Sequence, residues 1–590
     1  MKKLLALFTS SILAISPVLP TPPSVPQKLR SPAPISQFLP ADTPLVGLVS
    51  TKTEKWQSLS KFELFAQIFA FAEKTFSPQM GWNYQTDIKP WLGEQVAVAF
   101  MPQKVSNPIS LNDNFLILAS VKDAQQLQAL VDKFKANKSP EVIERQYKGV
   151  KILEWKPSKL TAPESPEATP PVSKSLLKTS QLPIPTSLLA AIPGIPTIPM
   201  PKPNSIKSRG MAIAILPGYV VTASNALPIE QLLDTPPGTN LAQNPNFKHL
   251  TQHPQYSKAL FTLYEDPNKF LALFKSLAQD PSLPFPIPPS AINPAQVAQY
   301  NSINGLVWEQ AEGLRLQLNA YRKNSSLANN LTPNSAQLIS RIPAPAYATT
   351  TGSNIYGQWQ MLVTVLSSNP QFKDGLQKFN QTVTSTTGLD FNKDILGWMD
   401  GEYALFFYPT KQGLLSSQIK MGLGFFVQTT SRPKAEASLN KLGTSIKAIS
   451  GGVLSIDTHK NIEGFSINAW KFGEQSVFAY SWVDNKTLLI STGLEAMNEL
   501  LPQPSRQLPK DYNFATATSS LPAPNQGYFY INMGSSLSWV YSLAPTVFNA
   551  PDFQVFKQAI GSVRSFSSTT TMTSKQEQYD GLVVLAPAKK

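Results

Sequence analysis

The sequence predicts an α+β protein of two similar tandem lobes, each a mainly antiparallel sheet covered by helices. Three observations predict it. An unusual phrase occurs twice, as DIKPWLGEQVAVAF at residues 87–100 and as DILGWMDGEYALFF at residues 394–407. Apolar alternating runs follow one another as hairpins, without the crossover helices that parallel strands need. Finally, 590 residues exceed what one ordinary core organises.

Residues 1–20 read as an export signal, cleaved or retained as an N-terminal anchor. Lys2 and Lys3 precede an apolar stretch from Leu4 to Ile15, shorter than a membrane span. Residues 21–36 are a proline-rich linker. The first lobe covers residues 37–330 and the second, its duplicate, residues 331–590. A repeat of this length is a duplicated domain rather than a solenoid unit.

The order of elements repeats. After each copy of the phrase comes an alternating run, a polar break and a helical pattern, at residues 114–134 and 420–442. YKGVKILEWK at 147–156 then matches IEGFSINAWK at 462–471, with Gly149 over Gly464 and Trp155 over Trp470. Strand, tight turn, strand and helix follow at 210–233 and 476–501, turning at LPGY and VDNK. Two strands about a polar turn close each lobe, at 303–322 and 565–587. Helices are predicted over 54–76, 124–135, 229–233, 267–277, 369–387 and 433–449. In the first of these, Trp56, Leu59, Phe62, Phe65, Ile68 and Phe69 recur at threes and fours, the spacing of one apolar helix face. A proline-rich insert at 156–209 and a second proline-rich stretch at 280–290 interrupt the first lobe.

Within the phrase, Asp87 and Asp394 suit a turn, where a carboxylate accepts backbone N–H groups. Trp91 and Trp398 suit a plug at the sheet end. Gly93 and Gly401 suit a positive φ where the chain reverses, and Glu94 and Glu402 open the following strand. The eight residues read as a structural motif. The rival reading pairs Asp87 with Glu94, and Asp394 with Glu402, for acid/base work in a carboxylate-based glycoside hydrolase.

Together with FLPADTPLVGLVST at residues 38–51, the phrase resembles an exported cyanobacterial family catalogued as domain of unknown function 3352. The resemblance covers most of the first lobe and, more loosely, the second, where IPAPAYATTTG at 342–352 replaces the LPADTP stretch. It implies secretion, to the periplasm, the thylakoid lumen or the cell surface. It brings no catalytic residues and no cofactor.

Composition narrows the chemistry. Without cysteine there is no disulfide framework, thiol nucleophile or thiolate metal site. The net charge of +14 is spread along the chain, and its densest stretches, at 133–138 and 156–178, are broken by proline and polar residues. No basic platform interleaved with aromatics is present, which argues against nucleic acid. His249 and His253 are spaced i, i+4, but Pro254 follows and disfavours a helical metal pair. Nucleotide, cofactor and serine-hydrolase fingerprints are missing from the sequence. The expectation is an exported non-catalytic protein that binds an envelope protein, a glycan or an apolar ligand such as a lipid or pigment.

Overall fold

A computed structural model of the chain describes residues 34–66, 83–102, 111–137, 142–155, 210–277, 294–324, 334, 336–367, 370–413, 415–543, 557 and 560–588. Residues 1–20, predicted as an export signal, most of the predicted linker over 21–36 and the two proline-rich stretches at 156–209 and 280–290 lie outside the described residues.

The first half contributes β1 (Leu45–Ser50), β2 (Leu92–Phe100), β3 (Phe115–Val121), β4 (Val142–Tyr147), β5 (Val150–Trp155), β6 (Met211–Leu216), β7 (Tyr219–Ala223), β8 (Phe261–Glu265), β9 (Tyr300–Glu309) and β10 (Gly313–Arg322). The second contributes β11 (Ala348–Ser353), β12 (Glu402–Pro409), β13 (Met421–Gln428), β14 (Leu454–Ile462), β15 (Phe465–Phe472), β16 (Gln475–Trp482), β17 (Thr487–Ser491), β18 (Tyr528–Asn532), β19 (Val563–Met572) and β20 (Gln576–Leu585).

Every strand pairing among the described residues is antiparallel. Across the first half the strand order is β4-β5-β6-β7-β3-β2-β1-β8-β9-β10. Across the second it is β14-β15-β16-β17-β13-β12-β11-β18-β19-β20. Strand for strand, the second order repeats the first. The two series meet where β10 pairs with β20, Gln317 facing Asp580 at the middle of the register. One open sheet of 20 strands therefore runs through both halves. Hairpins build it locally: Gly149 and Gly464 take φ of 77° and 82° in the equivalent β4–β5 and β14–β15 turns, a conformation that glycine reaches without steric cost.

Helices cover both faces. On one, α1 (Thr53–Gln57), α2 (Ala124–Asn137) and, in the second half, α8 (Arg432–Ile449) lie over the sheet. There Leu127, Leu130 and Val131 pack with Trp91 and Trp155, while Ala435 and Leu439 pack with Trp398 and Trp470. The other face carries α3 (Leu227–Leu233), α4 (Pro245–Thr251), α9 (Leu494–Asn498) and α10 (Tyr512–Thr518). Phe247 of α4 meets Tyr264 edge-on at 5.4 Å, and Phe514 of α10 meets Tyr530 likewise at 5.1 Å. The remaining helices used below are α5 (Pro267–Leu277), α6 (Ile355–Leu366), α7 (Pro370–Thr387) and α11 (Met533–Leu543).

The helix predicted over 54–76 is not continuous. It stops at Gln57, continues as a 3-10 turn over Ser58–Lys61, and Phe62 is extended. Phe62 bridges to Pro587, and the Glu63 N–H donates to the Ala586 carbonyl at 3.0 Å. The chain's last residues thus return to the first half and pull residue 62 out of the helix; the part beyond residue 66 lies outside the described residues. Helices α4, α6, α10 and α11 answer to no predicted helix. Of these, α4 and α10 are only two turns long, too short for a periodic signal.

Candidate functional site

In each copy the phrase builds the same turn. Residues Tyr84–Ile88 and Phe391–Leu396 form π-helical turns. Asn83 caps the first by accepting from the N–H groups of Gln85 and Thr86, and Asp390 caps the second from Asn392 and Lys393. The conserved geometry closes in the reverse direction: Asp87 Oδ2 accepts the Asn83 N–H at 2.7 Å, and Asp394 Oδ2 accepts the Asp390 N–H at 2.8 Å. This is a reciprocal capping box stretched by one residue. The Asn83 N–H holds the Asp87 carboxyl below its ordinary range, with Lys133 adding to the effect and burial opposing it. Lys133 of α2 reaches Asp87 at 3.0 Å.

Trp91 and Trp398 are buried under α2 and α8. Trp91 Nε1 donates to the Asp87 carbonyl at 2.8 Å. In the second copy the Asp394 carbonyl instead accepts from Ser438 Oγ of α8 at 2.5 Å, and Trp398 Nε1 is buried without an acceptor among the described residues. The glycine expectation is corrected. Neither Gly93 nor Gly401 has a positive φ. They are glycines because the strands approach closely: a Cβ would come within 2.6 Å of Ser120 Oγ at Gly93 and of Gln428 Cβ at Gly401.

The glutamates do not join the aspartates. Glu94 is exposed and pairs with Lys52 at 2.8 Å. Glu402 is buried and accepts the Gln337 N–H at 3.1 Å. The pairings Asp87–Glu94 and Asp394–Glu402, which the hydrolase reading needs, are not made, because each aspartate is engaged in closing its own turn. His249 and His253 also diverge. Helix α4 ends at Thr251, His249 lies against the Tyr321 ring at 5.0 Å, and the ring nitrogen Nδ1 of His253 accepts the Gln255 N–H at 3.2 Å. Burial lowers the His253 pKa, opposed by Gln317 and Asp580. Among the described residues no three His, Asp or Glu side chains converge as a metal cage.

Sequence reasoning missed the seam between the halves. On the face of α4 and α10, β10 turns Arg315, Gln317 and Asn319 inward, and β20 supplies Asp580, which is fully buried. Arg315 Nη2 donates to Asp580 Oδ1 at 2.7 Å, Gln317 Nε2 to the same oxygen at 3.1 Å, and Gln578 Nε2 to Oδ2 at 2.7 Å. Gln576 Nε2 donates to Asn319 Oδ1 at 2.6 Å. A buried polar strip therefore separates the two hydrophobic cores. On the opposite face Leu318 of β10 is 41% exposed and, two strands beyond β20, Phe529 of β18 is 40% exposed, while Leu314 and Val583 pack against the cluster of Trp56, Leu59 and Phe62. The run LRLQLNA carried the alternation, but not which parity is buried.

No curated protein matches the chain. Among solved structures, crystal form III of TP0453 is 14% identical, the match covering 44% of this chain and 82% of that one, with a TM-score of 0.23. Crystal form I of TP0453 is 9% identical, over 50% of this chain and 81% of that one, again with a TM-score of 0.23. Likeness at that level carries no argument about fold or function. The family of the repeated phrase is a different matter: the match runs over residues 5–585, nearly the whole sequence, and the chain belongs to the family described as protein of unknown function DUF3352.

Proposed function

We propose that this is an exported, non-catalytic binding protein of the cell envelope, built by duplication, which takes an apolar ligand or the apolar segment of an envelope partner on the leucine face of the seam. One observation carries the reading. Strand β10 buries Arg315, Gln317 and Asn319 while leaving Leu318 exposed, and Phe529 two strands beyond β20 is exposed on the same face. Burying polar side chains is costly unless every one is satisfied, so an inverted strand needs a reason. An apolar surface held for a ligand is such a reason. The repeated strand order supports the duplication, and the N-terminal lysines with their apolar stretch support export. The family resemblance supports a cyanobacterial source and a periplasmic, luminal or cell-surface location. The engagement of Asp87 and Asp394 in their turns supports a non-catalytic role.

The test is native purification from the envelope, followed by mass spectrometry of the intact protein and of its organic extract. A lipid, pigment or apolar peptide should co-purify, and Leu318→Glu with Phe529→Glu should reduce its occupancy at least tenfold. An empty wild-type protein, or occupancy indifferent to both substitutions, would overturn the reading.

A further inference from the structure

The leucine face of the seam differs at its two ends. Along β10 it presents Leu314, Leu316, Leu318, Ala320 and Arg322 in alternation. One end is closed, where Leu314 packs with Val583 of β20 against Trp56, Leu59 and Phe62. The middle is kept low by glycine. Leu318 lies across Gly305 of β9, where a Cβ would come within 3.0 Å of Leu318 Cδ2, and Phe566 of β19 stands 3.4 Å from the place of a Cβ on Gly581. The other end is basic. Arg322 pairs with Glu577, whose Oε1 also accepts the Tyr300 hydroxyl at 2.9 Å. The Arg322 side chain is 8% exposed, and its Nε has no acceptor among the described residues. The ladder runs one step past the strands, where the Arg322 N–H donates to the Lys575 carbonyl at 2.8 Å. Lys575 and Lys323 are exposed and make no ion pair among the described residues. Three cations thus meet one carboxylate. Of the nearby acids, Asp266 pairs with Lys269 at 3.1 Å, and Glu265 lies two strands from β10.

We infer that the ligand of this face is a long-chain amphiphile with an anionic oxygen head, its chain along Leu318 and its head at Arg322, Lys323 and Lys575. The inference rests on the binding reading above, to which it adds the chemical class of the ligand and its direction. Three features fix the occupant. The excess of cations at one end complements a negative head, and a guanidinium donor buried without an acceptor gains one from a head oxygen. The aromatic cluster at the opposite end gives the strip a single open end, so the tail points toward Leu314. The step from Leu316 to Arg322 spans about 20 Å of strand, room for a long acyl chain. An ammonium head would meet like charge at the lysines, and an uncharged head would leave their attraction unused.

Calorimetric titration of the full chain near neutral pH tests it with three probes of equal chain length, each kept below its micelle threshold: laurate, dodecanol and dodecyltrimethylammonium. Laurate should bind at least about tenfold more tightly than either of the others, and the margin should shrink as salt rises. Lys323→Glu with Lys575→Glu should remove the margin, while Leu318→Glu should weaken all three probes at least about tenfold. Circular dichroism reports whether the variants fold, and the salt dependence, which needs no variant, decides the matter should one of them unfold. Equal binding of the three probes, a laurate margin indifferent to salt, or one that survives the double lysine variant would overturn the head assignment and leave the apolar face standing. No binding of any probe, or binding indifferent to Leu318→Glu, would overturn the face as well as the head.

Discussion

Two residues with the same position in the repeated phrase hold different jobs, and that difference can be measured. Trp91 and Trp398 are equally buried, but only Trp91 donates its indole N–H to the aspartate carbonyl beneath it. Replacing either by Phe loses similar ring volume. Trp91→Phe should therefore cost about 1 kcal/mol more than Trp398→Phe, the net value of one hydrogen bond, in urea melts of the two variants. Glu265 offers a second test. It closes β8 between Leu45 and Ile303, with Asp266 beside it, and burial followed by the Asp266 charge raises its pKa to about 7. Because the folded value lies above the ordinary 4.5, the protonated form stabilises the fold fully below that pH, and the gain is lost as pH rises through about 7. Wild-type stability should fall by roughly 1–3 kcal/mol between pH 5 and pH 8, and Glu265→Gln should flatten that fall. The aspartate role was legible beforehand, since a short carboxylate before a turn has few other uses. The glycine role was not. Close approach of Ser120 and Gln428 is a long-range fact, whereas positive φ is the local guess.

At the scale of elements, hairpins were the most legible feature. Alternation and turn chemistry act over a few residues, so β6–β7, β9–β10 and their equivalents β16–β17 and β19–β20 fall where the sequence places them. Helices α2, α5, α7 and α8 are equally close to expectation, because each carries its periodicity over eleven residues or more. The failure over 54–76 has a tertiary cause: the local pattern favours helix, but the backbone of Phe62 and Glu63 is claimed by the chain's C-terminal residues. Strand β10 fails in the opposite sense. Its alternation was visible, but its polar parity faces inward because a buried acceptor, Asp580, waits across the seam.

For the whole molecule the seam is where stability is concentrated on few groups. Arg315 and Asp580 are 6% and 0% exposed at their side chains, and Gln317 and Gln578 depend on the same carboxylate. Asp580→Ala leaves a buried guanidinium without its counter-charge and two amides without an acceptor. It should destabilise the protein by about 3–5 kcal/mol, whereas the apolar pair Arg315→Met with Asp580→Leu should cost much less. Chemical denaturation of the three proteins checks this. If the halves unfold separately once the seam is broken, the Asp580→Ala transition should also split in two, with loss of the single cooperative step.

The sequence by itself determined the class of fold, the repeated order of its strands and the turn that each aspartate closes. All three rest on short-range physics: side-chain alternation, turn propensity and caps that bond within four residues. Only the tertiary structure decided that two series of strands form one sheet and that a polar strip lies buried where they join. Those features depend on which residues meet across more than two hundred positions, as Arg315 meets Asp580, and no local pattern encodes such a meeting.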